Sequence, residues 1–157
     1  MNTMLNDAHI RWMIRADMPS VIAIEEASYG SPWSEEEFLR VLRQRNVIGM
    51  SIDIEKVLVG YMVYEIHTSR LHLSNLAVHP ENRREGIGHA LIEKMQSKLA
   101  FGRRNRITCE IRETNLAGQL FLRSQGFRAI TVFRDFYDDT NEDAYLMQYR
   151  YQPKEWE

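Results

Sequence analysis

The sequence predicts a mixed α/β fold, a mostly antiparallel central sheet with one parallel strand-helix-strand crossover. Three strand-like segments, 47–54, 57–66 and 71–78, are joined by links of two and four residues. Links this short favour antiparallel neighbours, because a parallel crossover needs a dozen or more residues. A helical pattern then separates the third strand from a fourth at 107–111, and a hairpin closes the chain. These observations predict the order β-α-α-β-β-β-α-β-α-β-β.

Length, charge and cysteine content limit the classes of protein that fit this pattern. The 157 residues, 44% apolar and 27% charged, suit a single domain spanning 1–157. A net charge of −2 supplies no basic field for nucleic acid, and no apolar run reaches membrane-spanning length. One cysteine excludes an internal disulfide, and the chain starts without a signal-peptide pattern. We therefore expect a cytoplasmic protein, a monomer or weak homodimer, that binds neither nucleic acid nor membranes.

The first third of the chain predicts one strand and two helices. An alternating segment at 9–15 is the strand, and Asp17 after it is the expected N-cap of the first helix. The segment 29–33, which contains glycine and proline, ends that helix. Ser34 then begins the second helix, with Glu37 three residues later as its capping-box partner.

Apolar spacing indicates a buried face on each of the two later helices. The central helix buries Ile87, Leu91, Ile92, Met95 and Leu99. A shorter helix at 116–124 starts after Asn115 and ends before Gly126. Its expected apolar side is formed by Leu116, Leu120 and Phe121. The strands 127–137 and 144–151 then form the final hairpin.

The link between the third strand and the central helix has the composition of an anion-binding site. Residues 79–82 end the strand, and Arg83, Arg84, Gly86 and Gly88 follow. A helix start carries unpaired N–H groups and a partial positive charge. Two glycines remove side chains that would keep an anion away, and two arginines add positive charge. We expect a phosphate or diphosphate here; the alternative is an ordinary turn with solvated arginines.

Three phosphate-binding motifs compete for this link. A Walker loop requires Gly-Lys-Ser/Thr, which the chain lacks. A dinucleotide fingerprint requires a third glycine where Leu91 stands, and a first glycine directly after the strand. The remaining pattern, Arg/Gln-x-x-Gly-x-Gly/Ala, fits Arg83-Arg84-Glu85-Gly86-Ile87-Gly88 after the strand Asn75-Leu76-Ala77-Val78. This segment resembles motif A of the GNAT acetyltransferases, in which the loop holds the diphosphate of acetyl-CoA.

Three further segments resemble the bacterial ribosomal-protein alanine N-acetyltransferases of that family. They are Ser31-Pro32-Trp33-Ser34, Glu110-Ile111-Arg112-Glu113-Thr114-Asn115, and Gly126-Phe127 with Arg134-Asp135-Phe136-Tyr137. The resemblance, which extends to the element order, implies the GNAT fold and transfer of an acetyl group from acetyl-CoA to a primary amine. The leading acceptor is the N-terminal α-amine of a protein or peptide, of the alanine type, and a ribosomal protein is one candidate.

The resemblance also implies roles for individual residues. The strand segment that contacts the pantetheine and acetyl group corresponds to Leu76, Ala77 and Val78. The diphosphate loop and helix start correspond to Arg84, Glu85, Gly86, Ile87, Gly88 and His89, and Arg83 opens the motif. Asn115 corresponds to an asparagine that hydrogen-bonds the cofactor, and Glu110 corresponds to the general base.

The chemistry of amine acylation independently supports Glu110. An amine must lose a proton to attack a thioester, and a carboxylate within reach accepts that proton. Strand alternation places Glu110 on the face opposite Cys109, which we expect to be a small core residue. The alternative for Glu110 is an exposed strand glutamate paired with an arginine.

One position departs from the family pattern. The family's general acid is a tyrosine in the short helix, and Leu122 takes its place here. The leaving thiolate is then protonated either by water or by another tyrosine, for which Tyr137 on the final hairpin is the candidate. The alternative for Tyr137 is an aromatic residue that packs or shapes a peptide groove.

Two other functions are compatible with the sequence. One is acetylation of a small amine, and another is a non-catalytic module that binds acyl-CoA. An acidic acceptor groove and a solvated face are both compatible with Glu25, Glu26, Glu35 and Glu36. No metal site is expected, because ligand spacing is lacking at His67, His72, His79 and His89.

Overall fold

The computed structural model describes residues 7–153, and its elements follow the predicted order. The strands are β1 (Ala8–Trp12), β2 (Val47–Ile54), β3 (Val57–Ile66), β4 (Leu71–Val78), β5 (Arg106–Arg112), β6 (Arg128–Phe133) and β7 (Ala144–Arg150). The helices are α1 (Met18–Ser28), α2 (Glu35–Leu42), α3 (Ile87–Gln96) and α4 (Leu116–Ser124). Short 3-10 turns lie at Arg15–Asp17 and Pro80–Asn82. Among the described residues, no helix combines the length and apolar character that crossing a bilayer requires.

The seven strands run in the order β1-β2-β3-β4-β5-β7-β6. β4 and β5 pair in parallel, with Leu71 opposite Ile107 and His72 opposite Thr108. The pairs β1–β2, β2–β3, β5–β7 and β6–β7 are antiparallel. Because α3 connects β4 to β5, the predicted parallel crossover is confirmed.

The chain forms two compact units. Of the described residues, the first unit contains 7–66 together with Ser74–Lys94, and the second contains His67–Leu73 and 95–153. The hydrophobic cluster of the first unit joins α1 and α2 to β2, β3 and β4. Its most buried members are Met18, Val21, Ile24, Phe38, Tyr61 and Val63.

The starts of α1 and α2 confirm both predicted N-cap positions, but only Ser34 forms the side-chain cap bond. Ser34 accepts a hydrogen bond from the Glu37 N–H at 3.1 Å, and both halves of the capping box are present. Asp17 occupies the N-cap position of α1, but its side chain makes no cap bond. Its carboxylate is instead taken up by Arg11 at 2.8 Å and by the Ile14 N–H at 2.8 Å. The predicted N-cap position of Asp17 is therefore confirmed, but the side chain caps no N–H of α1, because Arg11 and Ile14 engage its carboxylate.

The buried face of α3 is confirmed, whereas that of α4 is not. Every predicted apolar position on α3 is buried, and so is Leu99, which lies just beyond the end of the helix at Gln96. On α4, Leu116 and Leu120 are 62% and 57% exposed, and Leu122 is buried at 4% exposure. An added Cβ at Gly118 would lie 2.6 Å from Ile111 Cδ1, so the helix packs on β5 through its glycine. Gly118 and Leu122, four residues apart, share this face.

Candidate functional site

The predicted diphosphate loop begins where β4 ends. The His79 N–H donates to the Val59 carbonyl at 2.7 Å, which anchors the end of the strand. After the following 3-10 turn, Arg84 and Gly86 have left-handed backbone conformations, with φ of 63° and 83°. This conformation is natural for glycine and uncommon for arginine. The loop therefore holds a specific backbone geometry directly before α3.

The N–H groups of this loop are available to a ligand. Within residues 7–153, those of residues 84–88 make no turn or cap hydrogen bond to a backbone carbonyl. The first such bond of α3 is donated by Ala90 to the Gly86 carbonyl at 3.0 Å. Unpaired N–H groups at a helix start attract anions. The loop therefore fits the diphosphate of an acyl-CoA.

The charged side chains of the loop have different environments. Arg83 donates to the Val78 carbonyl at 3.2 Å and to Ser28 Oγ at 3.0 Å, so it ties the loop to β4 and α1. Arg84 is exposed. Glu85 Oε2 is buried and has no hydrogen-bond partner among the described residues. The loop thus combines anion-binding amides with one uncompensated carboxylate oxygen.

The segment between α1 and α2 is held against β4 by a buried carboxylate. Glu25 is 1% exposed and accepts hydrogen bonds from Asn75 Nδ2 at 2.9 Å and from the Trp33 N–H at 2.9 Å. The Tyr61 hydroxyl also donates to Glu25, and the Tyr29 hydroxyl donates to the Leu76 carbonyl. Glu25 therefore belongs neither to an acidic groove nor to a solvated face, in contrast to the exposed Glu26, Glu35 and Glu36.

Sequence reasoning missed this role of Glu25. Helical spacing places Glu25 one residue after Ile24 and four after Val21, both buried, and this is the only sequence signal for its burial. Its partners Tyr61 and Asn75 lie 36 and 50 residues away. Burial raises the pKa of Tyr61, and the Glu25 carboxylate raises it further.

In the second unit, Glu110 on β5 pairs with His72 on β4. The distance from His72 Nε2 to Glu110 Oε2 is 2.6 Å. Burial acts to raise the pKa of Glu110, but the hydrogen bond from His72 and the electrostatic contributions of His72 and, to a smaller degree, Arg70 outweigh it. The net pKa lies below the usual value, so Glu110 is ionised at neutral pH. The alternative of an exposed glutamate paired with an arginine does not hold, because the partner is a histidine.

A cavity of about 390 Å³ opens beside this pair. It is lined by Arg70, His72, Arg106, Thr108, Glu110 and Gln148, with an apolar side of Ile130, Phe133 and Leu146. The side chain of Glu110 is thus reachable from a space large enough for a small group. Among the described residues, no cluster of three or more histidine, cysteine or acidic side chains could hold a metal ion.

Asn115 sits at the N-cap of α4. Its Oδ1 accepts from the Gly118 N–H at 2.9 Å, which orients the side chain. No partner of its Nδ2 is recorded within residues 7–153, so this amide retains a donor. This arrangement is compatible with the predicted contact to the cofactor.

Tyr137 lies in the loop between β6 and β7, under the side chain of Arg112. The guanidinium carbon is 3.9 Å from the ring centroid, and Arg112 also binds Asp139 at 3.1 Å. Burial raises the pKa of Tyr137 to about 12, against the opposing charge of Arg112. Tyr137 is therefore protonated at neutral pH. Leu122, at the family's tyrosine position, is buried and apolar.

Cys109 is partly buried and does not belong to the core, so the predicted core position is wrong. Burial, with a contribution from Glu110, raises the pKa of its thiol to about 12. A thiol protonated at neutral pH is a poor nucleophile. A covalent acetyl-cysteine step is therefore unfavourable here.

The predicted site residues fall into two groups, each within one unit. The first unit carries Leu76, Ala77, Val78, the loop residues Arg83 to Gly88, and His89, whose Nε2 is 3.4 Å from Glu93. The second unit carries Glu110, Asn115 and Tyr137. His72, whose sequence spacing does not fit a metal ligand, also belongs to the second group. Only the strand register, which pairs His72 with Thr108, brings it to Glu110.

Comparison with known proteins identifies the class to which this fold and these residues belong. The family model described as the acetyltransferase (GNAT) family matches residues 18–127, which is more than half of the chain. The chain therefore belongs to the GNAT family, whose members are acetyl-CoA-dependent N-acetyltransferases.

Several individual proteins are similar to this chain over most of its length. The ribosomal protein bS18-alanine N-acetyltransferase of Escherichia coli strain K12 is 28% identical over 133 residues, covering 83% of this chain and 89% of that protein. The crystal structure of the E. coli ribosomal-protein-S18-alanine N-acetyltransferase matches with a TM-score of 0.78 at 24% identity, covering 94% and 96%. Ard1 from Thermoplasma volcanium matches with a TM-score of 0.83 at 22% identity, covering 94% and 99%. These structures show the shared fold.

Proposed function

We propose that this chain transfers the acetyl group of acetyl-CoA to the N-terminal α-amine of a protein or peptide, with Glu110 as general base. The observation that carries the proposal is an ionised carboxylate, Glu110, at a cavity wall in a chain of the GNAT family. The name of the E. coli relative supports an alanine-type N-terminus, with a ribosomal protein as one candidate.

In this proposal, the loop before α3 binds the diphosphate of acetyl-CoA. The N–H groups of residues 84–88 donate to the diphosphate of acetyl-CoA, and the positive end of α3 adds to the attraction. Leu76, Ala77 and Val78 present their strand backbone to the pantetheine and acetyl group, and Asn115 Nδ2 donates to the cofactor. Arg83 stabilises the loop through Val78 and Ser28.

The proton steps follow from the ionisation of the side chains. An N–H bond of the acceptor ammonium breaks and an O–H bond forms on Glu110. The freed lone pair attacks the thioester carbon and forms a carbon–nitrogen bond. The second excess proton of that nitrogen passes to solvent as the carbonyl re-forms and the carbon–sulfur bond breaks. The thiolate takes its proton from water or from Tyr137, whose hydroxyl is protonated at neutral pH. A pKa raised to about 12 makes Tyr137 a weak acid, which favours water as the donor.

The segment between α1 and α2 is proposed to contact the acceptor. The Trp33 N–H of this segment donates to Glu25, and the Tyr29 hydroxyl donates to the Leu76 carbonyl. These two hydrogen bonds preorganise the segment. We further propose that the 157 residues form one domain that acts in the cytoplasm, without nucleic acid or membrane partners, as a monomer or weak homodimer. Sedimentation over a range of concentrations tests the oligomeric state.

A labelling experiment tests the function. The purified protein is incubated with isotopically labelled acetyl-CoA and with peptides that begin with alanine, serine, or an N-terminally blocked alanine as the control. We expect mass spectrometry to find one labelled acetyl group on the free α-amine of the alanine peptide and none on the blocked peptide. Label only on polyamines or amino sugars in a parallel panel contradicts the acceptor class, and uptake of acetyl-CoA without any transfer contradicts catalysis.

A further inference from the structure

A chain of polar contacts runs from Arg70 through Thr108 and His72 to Glu110. Arg70 Nη1 donates to Thr108 Oγ1 at 2.8 Å, and Thr108 Oγ1 lies 2.7 Å from His72 Nδ1. Arg70 Nη1 is also 3.2 Å from the same Nδ1 atom. The opposite nitrogen, Nε2, meets Glu110 Oε2 at 2.6 Å. Both nitrogens of the ring are therefore engaged by named partners.

These contacts select one tautomer of His72. We assign the unprotonated state to Nδ1, because arginine has donors and no acceptor and an N–H at that position would point at the Arg70 guanidinium. Thr108 can accept from Arg70 and donate its own hydroxyl hydrogen to Nδ1 at the same time. The ring proton then lies on Nε2 and points at the carboxylate of Glu110. Hydrogen bonds to one ring nitrogen commonly set the state of the other in this way.

We infer that His72, held by Thr108 and Arg70, is a positioning residue that orients the Glu110 carboxylate for proton transfer, an inference that rests on the proposed function. The Nε2–H bond occupies Oε2 and fixes the plane of the carboxylate. We assign the other oxygen, Oε1, to take the proton of the acceptor amine. A hydrogen bond to the charged form also keeps Glu110 ionised despite its partial burial.

The surrounding charges are consistent with this role. His72 faces Arg70, which directly precedes β4, and Thr108 and Glu110 on β5. It also faces the cavity lined by Arg106 of β5 and Gln148 of β7. Neither Arg70 nor Arg106 has a carboxylate within ion-pair distance in the described part of the chain. Glu110 is therefore the acidic group of this cavity, and the ring nitrogen beside it is a donor.

Three variants test the inference. His72→Leu removes the donor, His72→Gln retains an N–H group at a similar reach, and Thr108→Val removes the hydroxyl that holds the ring. The acidic limb of the pH profile of kcat/KM reports the ionisation of Glu110. We expect His72→Leu to shift this limb upward by about one pH unit and to lower kcat about tenfold, since a hydrogen bond to a charged group is lost. KM for acetyl-CoA is expected to change less than about twofold.

The other variants separate positioning from folding. His72→Gln should restore most of kcat, and Thr108→Val should show a smaller loss in the same direction. His9→Leu, on the exposed part of β1, is the matched control and should leave the profile unchanged. Nitrogen-15 NMR of the wild-type ring should show an unprotonated Nδ1 and a protonated Nε2, a readout that does not depend on activity. The opposite tautomer, or a wild-type profile for folded His72→Leu, overturns the inference.

A double-mutant cycle with Glu110→Gln distinguishes this inference from the proposed function. If His72 acts through Glu110, adding His72→Leu to Glu110→Gln should cost little more activity than Glu110→Gln alone. Fully additive losses show that His72 acts by another route. Full activity of Glu110→Gln itself removes the general base, whereas an impaired Glu110→Gln with an unaffected His72→Leu overturns only the positioning role.

Discussion

At the scale of single residues, Glu85 is a source of negative charge beside the proposed diphosphate seat. Its Oε2 is buried without a hydrogen-bond partner among the described residues. A carboxylate near a bound diphosphate repels it, and the repulsion is weakly screened where the group is partly buried. The loop therefore binds anions through its amides against an opposing side-chain charge.

Neutralising this charge should strengthen binding. We expect Glu85→Gln to lower the Kd for acetyl-CoA about threefold to tenfold, measured by isothermal titration calorimetry. Glu81→Gln, an exposed position in the preceding 3-10 turn, is the control and should have little effect. Unchanged or weaker binding by Glu85→Gln would argue that the diphosphate lies elsewhere.

Residue-scale prediction from sequence succeeds where the information is local. The glycine and arginine pattern of the loop and the strand position of Glu110 follow from neighbours in the chain. His72 and Glu110 are 38 residues apart, and the strand register that joins them depends on the β4–β5 pairing. Glu25 has partners equally remote in sequence, so its burial could not be read from the exposed glutamates beside it.

At the scale of elements, an ion pair joins β1 to the start of α1. Asp17 accepts from Arg11 at 2.8 Å, from the Ile14 N–H at 2.8 Å and from Ser51 Oγ at 3.0 Å. Burial acts to raise the pKa of Asp17, but these bonds lower it below its ordinary value. A carboxyl with a depressed folded-state pKa stabilises the fold above its unfolded pKa, and this contribution is lost as the pH falls through the folded pKa.

Removing this charge should therefore have a pH-dependent cost. We expect Asp17→Asn to lower the free energy of unfolding by about 2–3 kcal/mol at pH 7, because it leaves Arg11 short of a partner. The difference from wild type should shrink below about pH 4. Urea unfolding at several pH values measures it, with the exposed Asp138→Asn as control. A difference independent of pH would exclude the ionised carboxylate as its source.

The elements themselves show which sequence signals suffice. The bounds of β2, β3 and β4 match the prediction because short links and apolar alternation specify an antiparallel meander. The strand β1 ends at Trp12, three residues before the predicted end. The predicted buried face of α4 is wrong, because a tertiary contact decides which side of the helix faces the sheet. That contact is the close approach of Gly118 to Ile111.

At the scale of the whole molecule, both units are built on shared elements. β4 and α3 each begin in one unit and end in the other. Breaking either element in one unit disrupts its continuation, which couples the two in unfolding. The single domain predicted from sequence should therefore unfold in one step.

Calorimetry tests this cooperativity. We expect one thermal transition, with equal calorimetric and van't Hoff enthalpies, that moves to higher temperature as acetyl-CoA is added. Two transitions, with only one displaced by acetyl-CoA, would show that the units unfold independently.

The most direct test of the account compares acetyl transfer by wild type and Glu110→Gln at saturating acetyl-CoA, on the peptide acceptor that the labelling experiment identifies. The account predicts that kcat falls about a hundredfold or more while the Kd for acetyl-CoA changes less than about twofold, since only the proton acceptor is lost. Undiminished kcat in Glu110→Gln would contradict it.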